Sequence, residues 1–259
     1  GVSIGSAFNL SNARLLVSAT LPIELSNEQK LGSKKSLISS LEFGESQSQS
    51  VTLMAGLSQE NDNLLGSIGA NAFSLNGATS SSTFSAIKAQ KNFFNNLSLT
   101  GIATLANTNM TSPSNSMVDS ASDVKSSSIA LVADMRNISN DDQLSLFINQ
   151  PNRVDDGIVA IKTSSLADSN RTIQQTVKSI DLDSSSRQFN YGVSYRKDLN
   201  ENLAFSLKHI ITTNLNHNRD SNRLHSSYIG MGYKDLKLGI ATSPDGSSIE
   251  SELSYVITL

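Results

Sequence analysis

The feature that most constrains this chain is a hydrophobic pattern of period two. In Val51-Thr52-Leu53-Met54-Ala55-Gly56-Leu57 every odd position is apolar. Leu97, Leu99, Gly101, Ala103 and Leu105 share one face, opposite Ser98, Thr100, Ile102 and Thr104. Leu144, Leu146 and Ile148 alternate with Ser145, Phe147 and Asn149. Phe189, Tyr191, Val193 and Tyr195 alternate with Asn190, Gly192, Ser194 and Arg196. Leu203, Phe205, Leu207, His209 and Ile211 oppose Ser206 and Lys208. Successive side chains of a strand point to opposite faces, so each segment has one apolar and one polar face. With further candidates such as Ala13–Ile23, Lys35–Phe43, Leu64–Leu75, Thr83–Gln90, Ser127–Met135, Gly157–Thr163, Ser226–Lys234 and Leu236–Thr242, about 12–14 strands are expected. Turn signals separate them at Asn76-Gly77, Asn95-Asn96, Asp156-Gly157 and Asp245-Gly246. Ser169–Ile180 reads as a short helix within a longer polar stretch.

The polar face is built from Ser, Thr, Asn, Gln and Gly rather than charge: charged residues are only 17% of the 259. A soluble sandwich hides its apolar faces between two sheets and carries Lys and Glu outside. An outer-membrane barrel turns apolar faces to lipid and fills its lumen with polar side chains. The expected fold is therefore an all-β antiparallel barrel of the outer-membrane type with about 12 strands, in a single domain over residues 1–259. A soluble β-sandwich is the alternative. Against the barrel stand an aromatic content of only 5% and the absence of Trp.

Composition excludes several functions. No apolar run is long enough for a spanning helix. A net charge of −3 gives no basic excess for nucleic acid. Without Cys there is no disulfide framework, thiolate nucleophile or zinc knuckle. The three histidines, His209, His217 and His225, have no Gly-x-Ser-x-Gly elbow to serve. His217 and His225, with Asp220, match no familiar metal spacing and read as surface loop residues. Asp141-Asp142 reads as a hairpin tip, and Asp155-Asp156 lies beside a turn signal. Neither pair has the alternating acids of a calcium loop. No catalytic residue, cofactor or metal is expected, and the chain reads as a non-enzyme. The opening Gly1, without Met, reads as a processed product or a fragment.

The last residues, Leu253-Ser254-Tyr255-Val256-Ile257-Thr258-Leu259, resemble the C-terminal strand signal of bacterial outer-membrane barrels. Leu253, Tyr255, Ile257 and Leu259 hold its alternate positions, with Leu259 where that family usually has Phe. A second resemblance covers about residues 125–235. The run Leu144 to Val154, with Gln150-Pro151-Asn152-Arg153-Val154, then Asp181 to Arg187, then the strand pair from Phe189 to Ile211, is similar to the C-terminal region of subtilisin-like serine protease autotransporters of alphaproteobacteria. Asn152 stands where that pattern has an apolar residue. This resemblance implies a translocator or anchor in the outer membrane, without catalysis of its own. Its partners would be membrane lipid, an upstream passenger segment and the barrel-insertion machinery, with no nucleic acid. Asn190, Ser194, Arg196 and Lys208 are the candidates for the lumen, either contacting a threading segment or merely hydrating the interior. A secreted adhesion or accessory binding domain at the cell surface is the alternative function.

Overall fold

The computed structural model describes residues 2–21, 34–45, 49–62, 73–75, 77–94, 96–111, 116–166, 173–234, 236–242 and 249–255. Fourteen strands follow in order: β1 (Val2–Leu10), β2 (Ala13–Leu21), β3 (Lys34–Glu45), β4 (Gln49–Asn61), β5 (Thr79–Phe93), β6 (Leu97–Met110) and β7 (Val118–Arg136). Then come β8 (Asp142–Leu166), β9 (Ile173–Asp181), β10 (Phe189–Asn200), β11 (Leu203–Thr213), β12 (Leu224–Tyr233), β13 (Leu236–Thr242) and β14 (Ile249–Tyr255). All lie in one antiparallel sheet in which each strand pairs with its sequence neighbours, except that β8 pairs with both β9 and β10. β1 and β14 are its ends, and no ladder joins them among the described residues. Among the described residues, no helix is long and apolar enough to cross a membrane.

The all-β antiparallel expectation holds, with fourteen strands among the described residues, at the upper end of the expected 12–14. The sandwich alternative does not: the described strands form one sheet, with no second layer. The surface area makes the same point. It is 17383 Å², against roughly 11,000 Å² for a compact globule of this mass. Among the described residues, buried apolar ones are few: Leu75, Ala78, Met110, Val118, Ala121 and Val124 form one small cluster, with Val154, Val159 and Leu182 packed on it.

Three local expectations are corrected. Residues 173–180 of the expected helix lie in strand β9, because Val177 and Lys178 extend a ladder with Lys162 and Ile161 of β8. Tertiary pairing overrides a weak local helical preference. Asp156-Gly157 is not a turn, and its residues lie inside β8, which runs unbroken for 25 residues. Gly157 instead adopts φ +150, where a Cβ would come 2.9 Å from the Cα of Val124. The candidate strand Leu64–Leu75 lies almost wholly outside the described residues.

The sheet has two unlike rims. At one, the strands are joined by residues 11–12, 46–48, 94–96, 137–141, 201–202 and 234–235. At the other, the connections are 22–33, 62–78, 111–117, 167–172, 214–223 and 243–248. Short turns therefore lie at one end and longer connections at the other.

Candidate functional site

Directly paired residues of an antiparallel ladder share a face, so the register assigns every strand's two sides. One face carries Leu15, Leu41, Leu53, Ile87, Ala103, Ile129 and their neighbours in rows. Across β8, β10, β11, β12 and β13 it continues through Leu146, Val193, Leu207, Ile229 and Ile240. These side chains remain open to solvent: Leu105 is 64% exposed, Leu131 52%, Ile229 53% and Ile240 58%. An apolar surface this continuous, running from β1 to β13, is far beyond the scattered apolar residues of a soluble surface.

Aromatic residues on this face gather at the short-turn rim. Phe8, Phe43, Phe93, Tyr195, Phe205 and Tyr233 all stand in the apolar rows within a few residues of short connections. The ammonium of Lys91 lies 5.0 Å from the centre of the Phe93 ring, and that of Lys234 5.6 Å from the Tyr233 ring. Such a belt with basic residues beside it suits a boundary between hydrocarbon and water. Composition alone hid it, because Phe and Tyr replace Trp.

The opposite face is polar and the less exposed of the two, as the alternating burial along β4 and β5 shows, so the sheet curls toward it. Asn190 pairs with Asn149 and Thr212, Ser194 with Ser145 and Lys208, and Arg196 with Gln143 and Ser206. The four candidates Asn190, Ser194, Arg196 and Lys208 thus stand on one face of two adjacent strands. Thr212 donates to the Asn190 side chain at 2.9 Å. The Lys208 ammonium lies 5.7 Å from the centre of the Phe147 ring. Arg196 donates through Nε and Nη2 to Asp198 at 3.1 and 3.0 Å. Near the short-turn rim this face opens into a hollow of about 1000 Å³, lined among others by Arg196, Ser206, Tyr228, Gly232 and Lys237.

Rings on the concave side fill gaps above glycines. Phe84 occupies the space a methyl group at Gly56 would need, and Phe147 does so at Gly192. Tyr228 covers Gly239, where a Cβ would come 2.6 Å from its ring.

The turn from β7 to β8 explains the Asp141-Asp142 pair. Asn137, Asn140 and Asp141 all take positive φ, which Asn and Asp tolerate best among residues with a side chain. The Asp142 carboxylate accepts from the backbone N–H of Ile138 at 2.7 Å and of Ser139 at 3.1 Å, and from the Tyr195 hydroxyl at 3.2 Å. The Ser139 hydrogen bond, helped by those from Ile138 and Tyr195 and by the Lys197 charge, holds its pKa below the usual carboxylate value against the opposing effect of burial. Asp142 thereby caps the turn between β7 and β8.

Sequence reasoning missed how the two polar motifs meet. Between Asp181 and Phe189 the chain leaves the ladder with β8, and side chains hold the gap. Arg153 donates through Nε to the Ser186 carbonyl at 3.0 Å and through Nη2 to that of Ser184 at 2.7 Å. Its Nη1 pairs with Asp155, which also takes the Ser127 hydroxyl and Arg187 Nη2. Arg187 Nη1 donates to the Gln150 side chain at 2.8 Å. His217 joins this knot: its Nδ1 accepts the Gln188 N–H at 3.0 Å, and its Nε2 lies 3.1 Å from the Asn152 carbonyl. The only signal was the presence of Arg and Gln in two motifs about thirty residues apart.

Both ring nitrogens of His217 are thus engaged. His209 and His225 stand together on the apolar face, ring centres 5.7 Å apart, with His209 Nδ1 2.8 Å from the Ser227 hydroxyl. No group of three metal-binding side chains occurs among the described residues. Leu253 and Tyr255 pair through their backbones with Leu238 and Leu236. Ile257 and Leu259 lie outside the described residues.

No family model and no curated protein matches the chain. Among solved structures, the chain is similar to the ferric-catecholate import receptor Fiu from E. coli K12 in its open form, with 10% identity and a TM-score of 0.40. The match covers 92% of this chain and 58% of that receptor, so the chain spans less than two thirds of the receptor's length.

Proposed function

We propose that this sheet is the wall of an outer-membrane β-barrel that anchors or translocates a surface protein and performs no catalysis. The observation that carries the reading is the apolar convex face, continuous across the strands and backed by a polar concave face. In water such a surface drives aggregation, whereas in lipid it is the stable arrangement. Hydrocarbon offers backbone groups no partners, and an antiparallel ladder satisfies them internally.

Two further features support it. Short turns at one rim and longer connections at the other match the asymmetry of bacterial outer-membrane barrels. The aromatic rows beside the short turns fit one membrane boundary. The apolar row Leu97 to Leu105 extends over nine residues of β6, in keeping with the ~9–11 residues of a tilted transmembrane strand.

The finer reading takes the autotransporter resemblance at its word: the concave face lines a lumen that admits a passenger segment of the same protein. Asn190, Ser194, Arg196 and Lys208 would then line the path. β14 would be the strand recognised by the insertion machinery, through strand addition.

Detergent extraction tests the membrane reading. The protein should partition into detergent and run with heat-modifiable gel mobility. Release into buffer without detergent, as a monodisperse species, would overturn it.

A further inference from the structure

The sheet has a seam where β8 changes partner. Its ladder with β10 ends at the pair Asn149–Asn190, and its ladder with β9 begins at the pair Ile158–Asp181. On that side residues 150–157 of β8 have no strand beside them. Across this gap lie residues 182–188 and the start of the connection from β11 to β12, residues 214–223. Neither is held by a ladder. Residues 182–188 are pinned at one end by the Leu182 N–H, which donates to the Gly157 carbonyl at 2.9 Å. At the other end their anchor is the β11–β12 connection.

His217 ties these two segments to each other and to β8. Its carbonyl accepts the Ser186 N–H at 3.1 Å and the Ser186 hydroxyl at 3.0 Å. Its ring bridges the Gln188 N–H, at Nδ1, and the Asn152 carbonyl of β8, at Nε2. Beside it the Asn216 N–H donates to Gln188 Oε1 at 2.8 Å, and Asn214 Nδ2 to the Arg187 carbonyl at 2.9 Å. These contacts hold a backbone that side chains disfavour: Asn214, Asn216 and His217 have φ of 52°, 54° and 60°. A backbone amide only donates and a carbonyl only accepts. The ring that satisfies both is neutral, with its proton on Nε2 and its lone pair on Nδ1.

We infer that His217 is a proton-sensitive latch over the seam between β8 and β10, closed by the neutral ring and released by the imidazolium. A proton taken from solvent goes to Nδ1, the atom that holds the Gln188 N–H. Two donors then face each other, that hydrogen bond is lost, and the left-handed backbone loses a contact that keeps it in place. The charged groups on the surrounding elements are Arg153 and Asp155 of β8, Asp183 and Arg187 of the joining segment, and Arg219, Asp220 and Arg223 of its own connection. Asp155 is already shared by Arg153 and Arg187, so the knot that receives the new charge already holds two guanidiniums on one carboxylate. The latch stands on these contacts alone, whether or not the sheet lies in lipid.

The absence of Cys makes the test direct. In the full chain, a spin label at Asn222→Cys reports the β11–β12 connection, and one at Glu201→Cys, on the opposite rim, is the control. Acidification from about pH 8 to about pH 5 crosses the range in which imidazoles charge. The label at position 222 should pass from immobile to mobile, and that at 201 should not change. Protection of the Gln188 amide from hydrogen exchange should fall about tenfold, the worth of one hydrogen bond. His217→Asn keeps an acceptor at the place of Nδ1 and tolerates the left-handed backbone, but does not titrate. It should stay immobile at both pH values, whereas His217→Ala should be mobile at both. His209 and His225 remain in every variant, so the comparison isolates His217. A label at 222 that ignores pH in the unsubstituted chain, an equal response in His217→Asn, or a matching change at 201 overturns the inference.

Discussion

Phe147 of β8 occupies the space directly above Gly192 of β10, its pairing partner on the concave face. The ring covers a strip of bare backbone, and the missing Cβ lets the ring approach. Gly192→Ala would force the ring away, with a cost of about 1–3 kcal/mol for an overpacked site. Chemical unfolding from detergent should show the loss. Adding Phe147→Ala to Gly192→Ala should recover part of it, and strictly additive losses would mean the ring and the glycine are not coupled.

The convex face makes a sharper prediction. Leu131→Arg should destabilise the protein in bilayers by about 2–4 kcal/mol, the cost of a cation at the lipid-facing midplane of a barrel. Ser194→Arg, on the concave face, should cost far less. Equal effects, measured by unfolding in vesicles, would contradict the assignment of the two faces.

Asp142 gives a pH dependence. It opens β8 at the short-turn rim, where the strand leaves the turn, and its folded pKa is lowered chiefly by the Ser139 N–H. Its stabilisation is therefore present above the unfolded value near ~3.9. It is lost as pH falls through the lower folded value. Asp142→Asn should reduce stability at neutral pH and flatten the acid limb between about pH 4 and the folded pKa. An acid titration of the unfolding midpoint, comparing the two proteins, checks this.

Arg153 should be the least replaceable residue of the polar knot. Its side chain is only 13% exposed and bonds two carbonyls and a carboxylate. Arg153→Ala leaves the part-buried Asp155 with one partner fewer and should cost about 1.5–3 kcal/mol, the worth of hydrogen bonds to a charged group. Arg153→Lys should not rescue it, because a single ammonium does not reproduce the fork. Trypsin cleavage after Arg187 should rise in both variants, and unchanged cleavage would sink the assignment.

Much of the sheet was legible because alternation is a local signal. Val51 to Leu57 and Leu97 to Leu105 state their faces without help from the rest of the chain. Parity along Phe189–Arg196 likewise put Asn190, Ser194 and Arg196 on one side. β9 was not legible: its residues, IQQTVKSID, are mostly polar, and only pairing with β8 makes them a strand. Asp156-Gly157 was misread because the same dipeptide serves a turn or a tight approach to Val124. The knot of Arg153, Asp155, Arg187 and His217 lay beyond reach, since its members meet only after the strands have paired.

The scarcity of buried apolar side chains sets the thermal behaviour of the chain. Heat-capacity increments on unfolding come from newly wetted hydrocarbon, and here the main greasy surface is already turned away from the interior. When the chain melts within a micelle, that surface can stay coated by surfactant tails. Calorimetry should then record a shallow, broad stability curve, with cohesion carried by the mesh of peptide groups rather than by an oily centre.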